Sequence, residues 1–315
     1  MSEQRAFEDA LSFMDPLRVV ISTRKERPLT MSQIGFVVIT HTAPCQVVRL
    51  VQALNMLYMN PPIVLHHDFD QCPAEFTLPS NVRVVRPHIP TRWCGYSVVR
   101  ATLASLALLY ANSDKPDWFA VLSGACYPTK PAVEVIRDLR QGGFDAYVDH
   151  QPIDPSALQT PFQRECFRRY FSWGIGPRSL SRRLAFPLLA AHYSPYSAHH
   201  CQCYAGSEWL TGNRKVAEYI LGSQEKFSWL GKHLRNRHCP DETYFQTVLC
   251  NASQFQLSSN NFRFIDWSLE GPHPKLLELE DLPTILASPA HFARKFAPDS
   301  PLLSRLDEHL GLKSQ

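Results

Sequence analysis

Two acids stand side by side in Pro240-Asp241-Glu242-Thr243-Tyr244-Phe245-Gln246, a stretch that reads as the first turn of a helix running on through Cys250. Proline lacks a donor that a first turn does not use, and negative charge suits the positive end of a helix. The spacing predicts Phe245, Val248 and Leu249 on one buried face. Asp241 and Glu242 are then left at the mouth of the helix, where a carboxylate either reaches a ligand or merely dresses the helix start. Two other patterns could do chemistry. Asp68-Phe69-Asp70 is a literal Asp-x-Asp, a spacing that can hold a divalent cation or belong to an ordinary loop. Phe292-Ala293-Arg294-Lys295-Phe296 is a basic turn that either meets an anion or stays solvated.

The elements that must position these groups alternate along the chain. Apolar runs at 34–40 and 63–67 predict strands buried on both faces, and 82–85 and 118–122 add two more. Between them lie a helix over 45–57, with Val47, Leu50, Val51 and Leu54 inward, and a helix capped by Ser97 that turns Val99, Leu103, Leu106 and Tyr110 inward. A helix over 131–139 follows. Later strands fall at 205–211 and 262–267, and later helices at 215–221, 280–286 and 302–310, the last ended by Gly311. Such alternation predicts an α/β fold, a Rossmann-type, mostly parallel open sheet with helices on both faces. Ligands of such sheets bind at the carboxyl ends of the strands, which singles out His41, Asp68, Ser123 and Gly124.

Residues 1–30 read as an N-terminal extension with a short helix around Phe7–Met14, and 31–315 as a single domain. Residues 150–204 interrupt the pattern. They are rich in Pro, Ser, Arg and aromatics (Phe162, Phe167, Tyr170, Phe171, Trp173), with a basic cluster at Arg178, Arg182 and Arg183. They read as an insertion that covers the site or contacts what binds there.

Composition narrows the classes. With 44% hydrophobic and 19% charged residues, the 315-residue chain has the profile of a soluble globular protein. A net charge of +3 is too small to argue for nucleic acid. Nine cysteines without a CxxC pair, and with Cys201-x-Cys203 too close for a zinc half-site, read as reduced thiols suited to a cytoplasm. The first residues carry Glu3, Glu8 and Asp9 and no apolar core of a signal peptide, and no run approaches the roughly 18 apolar residues of a membrane span.

Further motifs fix a resemblance. Trp93-Cys94-Gly95-Tyr96-Ser97, Leu122-Ser123-Gly124 with Tyr127-Pro128-Thr129-Lys130, Gly206-Ser207-Glu208-Trp209, Pro240-Asp241-Glu242-x-x-Phe245, Ile265-Asp266-Trp267 with Pro272-His273-Pro274, and Phe292–Phe296 occur in an order and spacing that resemble the core-2/I-branching β-1,6-N-acetylglucosaminyltransferase family. That family also includes peptide O-xylosyltransferases. The likeness covers about 34–296, except 150–204.

The resemblance implies a GT-A-like fold and an inverting transfer of a sugar from a UDP-sugar to a glycan hydroxyl. Glu242 matches the family's general base, expected to be ionised at a helix N-terminus, and Asp241 is expected to order the helix start. The family meets the diphosphate's charge with basic side chains in place of a metal, so no divalent cation is expected. Lys295 takes the position of its diphosphate-binding lysine, with Arg294 beside it. Its second basic residue falls on Asn260 by spacing, and Arg263, three residues on, is the substitute. Asp68 is expected to contact the nucleoside with Asp70 as loop dressing, and His41 resembles the histidine beside the uridine. On the acceptor side Ser123 and Gly124 form a floor, Glu208 offers a hydrogen-bonding acid, and Trp209 and Trp93 offer flat rings for a sugar. Mammalian members have disulfides and a membrane anchor; without evident counterparts, this chain reads as a bacterial cytoplasmic relative that builds a surface or capsular glycan. Two alternatives stay open: a nucleotide-sugar or glycan-binding protein without turnover, and a metal-dependent transferase using Asp68 and Asp70.

Overall fold

Runs of Val, Ile and Leu with no polar face belong where both sides of a strand are covered. In the computed structural model Ile34–Thr40 and Ile63–His67 lie side by side in the middle of a sheet. The structure describes residues 34–111, 114–171, 195–269, 271 and 273–312. The expected helix at Phe7–Met14, Trp173 and the cluster Arg178, Arg182 and Arg183 lie outside the described residues.

In chain order the strands are β1 (Ile34–Thr40), β2 (Ile63–His67), β3 (Val82–Val84), β4 (Trp118–Ser123), β5 (Tyr127–Pro128), β6 (Ala146–Tyr147), β7 (Gln151–Pro152), β8 (Tyr204–Ala205), β9 (Thr211–Asn213), β10 (Leu257–Ser258), β11 (Arg263–Ile265) and β12 (Phe292–Arg294). Seven of them form one sheet in the order β10-β6-β9-β4-β1-β2-β3. It is parallel except for β9, which runs opposite to both of its neighbours. A smaller sheet, β11-β12-β5, carries the basic residues, and β7 pairs with β8.

Successive side chains of a strand point to opposite faces. Phe36 and Val38 accordingly pack with Leu50 and Leu54 of the helix Pro44–Tyr58, while Val37 packs with Leu103 and Leu106 of the helix Tyr96–Leu109 on the other face. The parallel register sets Thr40 opposite His67 and Ile39 opposite Ser123. Two hydrogen bonds extend it one residue further, Asp68 N to Thr40 O at 3.0 Å and Gly124 N to Ile39 O at 3.1 Å. The carboxyl ends of β1, β2 and β4 therefore share one rim.

Three local expectations are corrected. Ser97 lies inside its helix, after Gly95 at the cap, and its hydroxyl accepts from Arg92 N at 2.9 Å. The strand expected at 205–211 is split into the end of β8 and the start of β9, because the donors between them turn away from strand pairing: Gly206 N donates to the backbone carbonyl of Glu242 (2.9 Å) and Ser207 N to Asp149 Oδ2 (2.9 Å). The helix expected from Pro240 is a single 3₁₀ turn, Pro240–Glu242, followed after Thr243 by the helix Tyr244–Cys250. Phe245, Val248 and Leu249 are buried as the spacing predicts.

Candidate active site

The acid-bearing turn is held from three sides. Ahead of it, Cys239 is disulfide-bonded to Cys94 and its N–H donates to Cys94 O at 3.0 Å. This corrects the expectation that all nine cysteines are reduced; the other seven are free. Both half-cystines have left-handed backbone (φ 53° and 50°), uncommon outside glycine, so the bridge joins two tight bends. Behind the turn, Thr243 Oγ1 and Thr247 Oγ1 both donate to Tyr204 O, and Gln246 Nε2 donates to Ser207 O at 2.7 Å. From the side, the Tyr170 hydroxyl donates to Cys239 O at 2.7 Å. Gly206 is required here: a Cβ on it would lie 2.1 Å from Asp149 O.

Glu242 Oε2 accepts from Arg169 Nη1 at 2.8 Å, and its side chain keeps 32% exposure. Asp241 is buried and in hydrogen-bonding contact with Glu208. Burial, then the neighbouring Asp241, pushes the Glu242 carboxyl up to about 7, with Arg169 opposing. This corrects the expectation that Glu242 is ionised at neutral pH by its helix end alone: loss of water outweighs one short 3₁₀ turn. Burial and Glu208 hold Asp241 well above the carboxylate range. Burial also raises Glu208, against a hydrogen bond from Asp241 and the charge of Arg294. Asp241 thus faces Glu208 as well as ordering the helix start, and burial raises both carboxyls.

At the other end, β12 delivers Arg294 and Lys295. The Arg294 guanidinium lies 4.5 Å from the centre of the Trp209 ring, next to Glu208 in the chain. Phe296 N donates to Ala125 O at 3.2 Å and Gln46 Nε2 donates to Phe296 O at 3.1 Å, so the strand end meets the loop after β4 at the rim. Lys295 is half-buried, and burial and then Arg294 lower its pKa. Burial and then Lys295 lower the pKa of His41, with Asp68 opposing. Glu242, Asp241, Glu208, Arg294, Lys295 and His41 are therefore linked in a row by the charge each exerts on the next.

Several expected residues do other work. Arg263 is corrected from diphosphate ligand to structural residue, partly buried: it donates to Asn261 O, Val121 O, Leu210 O and Thr211 Oγ1, with its guanidinium 4.9 Å from the centre of the Phe292 ring. Asp68 is corrected likewise. Its buried carboxylate accepts from the backbone of Asp70, Gln71 and Thr91 and from the side chains of Gln71 and Thr91, which closes the loop after β2. Those hydrogen bonds hold its pKa below the usual carboxylate range even against burial. Asp70 is exposed, with His88 Nε2 3.3 Å away.

Gly124 offers no floor for a sugar. A Cβ there would stand 2.7 Å from Thr40 Oγ1, so glycine lets β4 close on β1. The Ser123 hydroxyl turns to Cys126 Sγ (3.2 Å) and accepts from Ala125 N. Trp209 is buried with one face against Arg294, whereas Trp93 is 56% exposed, beside His238 and His273 and one residue from the disulfide. Of the two expected rings, Trp93 is the exposed one. Sequence reasoning missed Arg169, Glu165, Asp149 and the Cys94–Cys239 bridge. The i, i+4 pair Glu165 and Arg169 was the available signal for a helix aimed at the site.

Residues 34–286 match the Core-2/I-Branching enzyme family, and the chain belongs to that family. The family's GT-A-like fold agrees with the sheet described above. Over 300 residues the chain is 26% identical to Beta-glucuronosyltransferase GlcAT14B of Arabidopsis thaliana, covering 84% of this chain and 63% of that one. It is 28% identical over 251 residues to Beta-glucuronosyltransferase GlcAT14A of the same plant (73% and 51%) and 25% identical over 343 residues to Xylosyltransferase 1 of Rattus norvegicus (96% and 37%). It spans less than two thirds of the length of each relative. Among solved structures, the galactosyltransferase LgtC in complex with donor and acceptor sugar analogues is similar at a TM-score of 0.42 and 11% identity, over 89% of this chain and 96% of that chain.

Proposed function

We propose that this chain is an inverting glycosyltransferase that moves a sugar from a UDP-sugar to a glycan or other hydroxyl without a divalent cation. One observation carries the reading: Glu208-Trp209 meets Arg294-Lys295, which joins an acidic end to a cationic end in a single row. Inverting transfer needs a base on one side of the anomeric carbon and positive charge on the other. The acceptor O–H bond breaks and its proton passes to Glu242. The oxygen bonds the anomeric carbon, the bond to the diphosphate breaks, and its electron pair leaves with the diphosphate. In this reading Lys295 and Arg294 meet that charge, and His41 contacts the uridine.

The donor sugar in this reading is N-acetylglucosamine, as the motifs suggest, or xylose, as the likeness to Xylosyltransferase 1 supports; the names of the plant relatives add glucuronic acid to the set worth testing. Metal independence is supported by Asp68, whose oxygens already accept five hydrogen bonds. No described helix is long and apolar enough to cross a membrane. The disulfide favours an oxidising compartment over the cytoplasm that reduced thiols suggested.

Thermal shift with a panel of UDP-sugars identifies the donor, since a ligand at ~100 times its dissociation constant adds ~2.7 kcal/mol. Transfer in EDTA by wild type and Glu242→Gln then tests the reading. Turnover confined to wild type supports it. The burial of Arg263, which leaves the cationic end one arginine short, favours a second reading as a binding protein without turnover; stabilisation by a UDP-sugar with no transfer or hydrolysis would select it.

A further inference from the structure

Resting on the reading of Glu242 as base, we propose that Arg169 is its positioning residue: it fixes Oε2 so that Oε1 takes the acceptor proton. Oε2 accepts from Arg169 Nη1 at 2.8 Å, while Oε1 accepts nothing from the described residues. Arg169 is itself held. Its Nε donates to Glu165 Oε1 at 3.2 Å, and its helix, Pro161–Phe171, is anchored by buried Cys166, Phe167, Tyr170 and Phe171. The Tyr170 hydroxyl bonds Cys239 O and His233 Nε2 donates to Tyr170 O at 2.6 Å, so helix and acid turn are fastened to each other.

The charges facing Glu242 make Arg169 necessary. Asp241, Glu208 and Asp149 approach it from the acid turn and the loops beside β8 and β6, and Cys166 and Tyr170 face it from the helix. Among the described residues Arg169 is the cation in hydrogen-bonding contact with Glu242. The rigid guanidinium plane grips Glu165 through Nε and Glu242 through Nη1, so that one anchored group orients Oε2, which a point charge does not. Without it, burial and three acids would leave Glu242 protonated at neutral pH and free to rotate. Arg169 lies within 150–204, read from the sequence as an insertion that covers the site or contacts what binds there, and the segment thus supplies a working part of the site.

Two measurements test this on Arg169→Met, with Glu242→Gln as reference. Carbon-13 NMR of the Glu242 carboxyl, assigned by its absence in Glu242→Gln, reads the titration without substrate. The pH–rate profile with the UDP-sugar chosen by thermal shift reads the base. Arg169→Met is expected to raise both the NMR titration and the acid limb by about one pH unit or more, and so to cost about tenfold or more in rate below pH 7. The KM for the UDP-sugar should change by about twofold at most, and Arg169→Lys should restore part of the rate. If the Met variant does not fold, Arg169→Gln, which keeps a donor without the charge, is expected to move the limb in the same direction. An unmoved titration and limb, with Glu242→Gln inactive, would overturn the proposal. Full activity in Glu242→Gln would instead sink the base reading, while the NMR titration would still report on Arg169.

Discussion

The two ends of the row are built in opposite ways. The cationic end rests on the sheet rim, where β1, β2 and β4 finish in register and β12 is tied to the loop after β4. The acid end has no such platform. A disulfide, a tyrosine hydroxyl and an arginine from residues 150–204 hold it, and its carboxyls sit at raised pKa. A rim made by strand register is stable whatever binds there, so it suits a nucleotide common to many reactions. Carboxyls gathered away from water cost stability, and they persist where such groups are used.

The largest effect should come from breaking the acid end. Glu242→Gln is expected to lower transfer by about a thousandfold, with thermal stabilisation by the UDP-sugar kept, because the proposed donor contacts are Lys295, Arg294 and His41 at the other end; equal loss of both would mean the ends are not separable. Cutting the bridge comes next. Cys94→Ser or a reductant should lower unfolding free energy by about 3 kcal/mol in a denaturant titration, and should impair transfer more than donor binding. Thiol counting in denaturant without reductant should find the seven free cysteines.

Lys295→Ala tests the cationic end, with about a hundredfold loss seen as a raised KM for the donor and a lowered kcat together. Asp70→Ala, assayed with a divalent cation supplied and no chelator, should leave the rate within about twofold, since surface substitutions away from working contacts act weakly. A large loss there would revive the metal-dependent alternative.

The same contrast explains what was legible in the sequence. Ile34–Thr40 and Ile63–His67 announce themselves as buried strands, and once parallel they bring His41 and Asp68 to one rim by register alone. Whether a rim residue faces a ligand or the loop beneath depends on partners far along the chain. Asp68 meets Thr91, and Arg263 meets the carbonyls of Val121 and Leu210, so both turned inward. The acid end was legible as a pair of carboxylates and no further. Its bridge spans 145 residues, and cysteine pairing does not follow from spacing. Arg169 lies in the stretch that broke the strand–helix alternation, where periodicity gives no guide to direction.

The pH dependence of transfer at saturating UDP-sugar, in EDTA, tests the central claim most directly. Glu242 titrates at about 7 in the folded chain, above the ordinary glutamate value of 4.5. Its contribution to stability is therefore fully present below about 4.5 and lost as pH rises from there through about 7, while its activity as a base appears at the upper end of that interval, around 7. The account predicts a rate that climbs through neutrality and levels above it, a climb missing from the residual rate of Glu242→Gln, and a melting temperature that falls less in that variant than in wild type over the same range. A rate that is flat from about pH 5 to 9, or one that vanishes in EDTA, would contradict it.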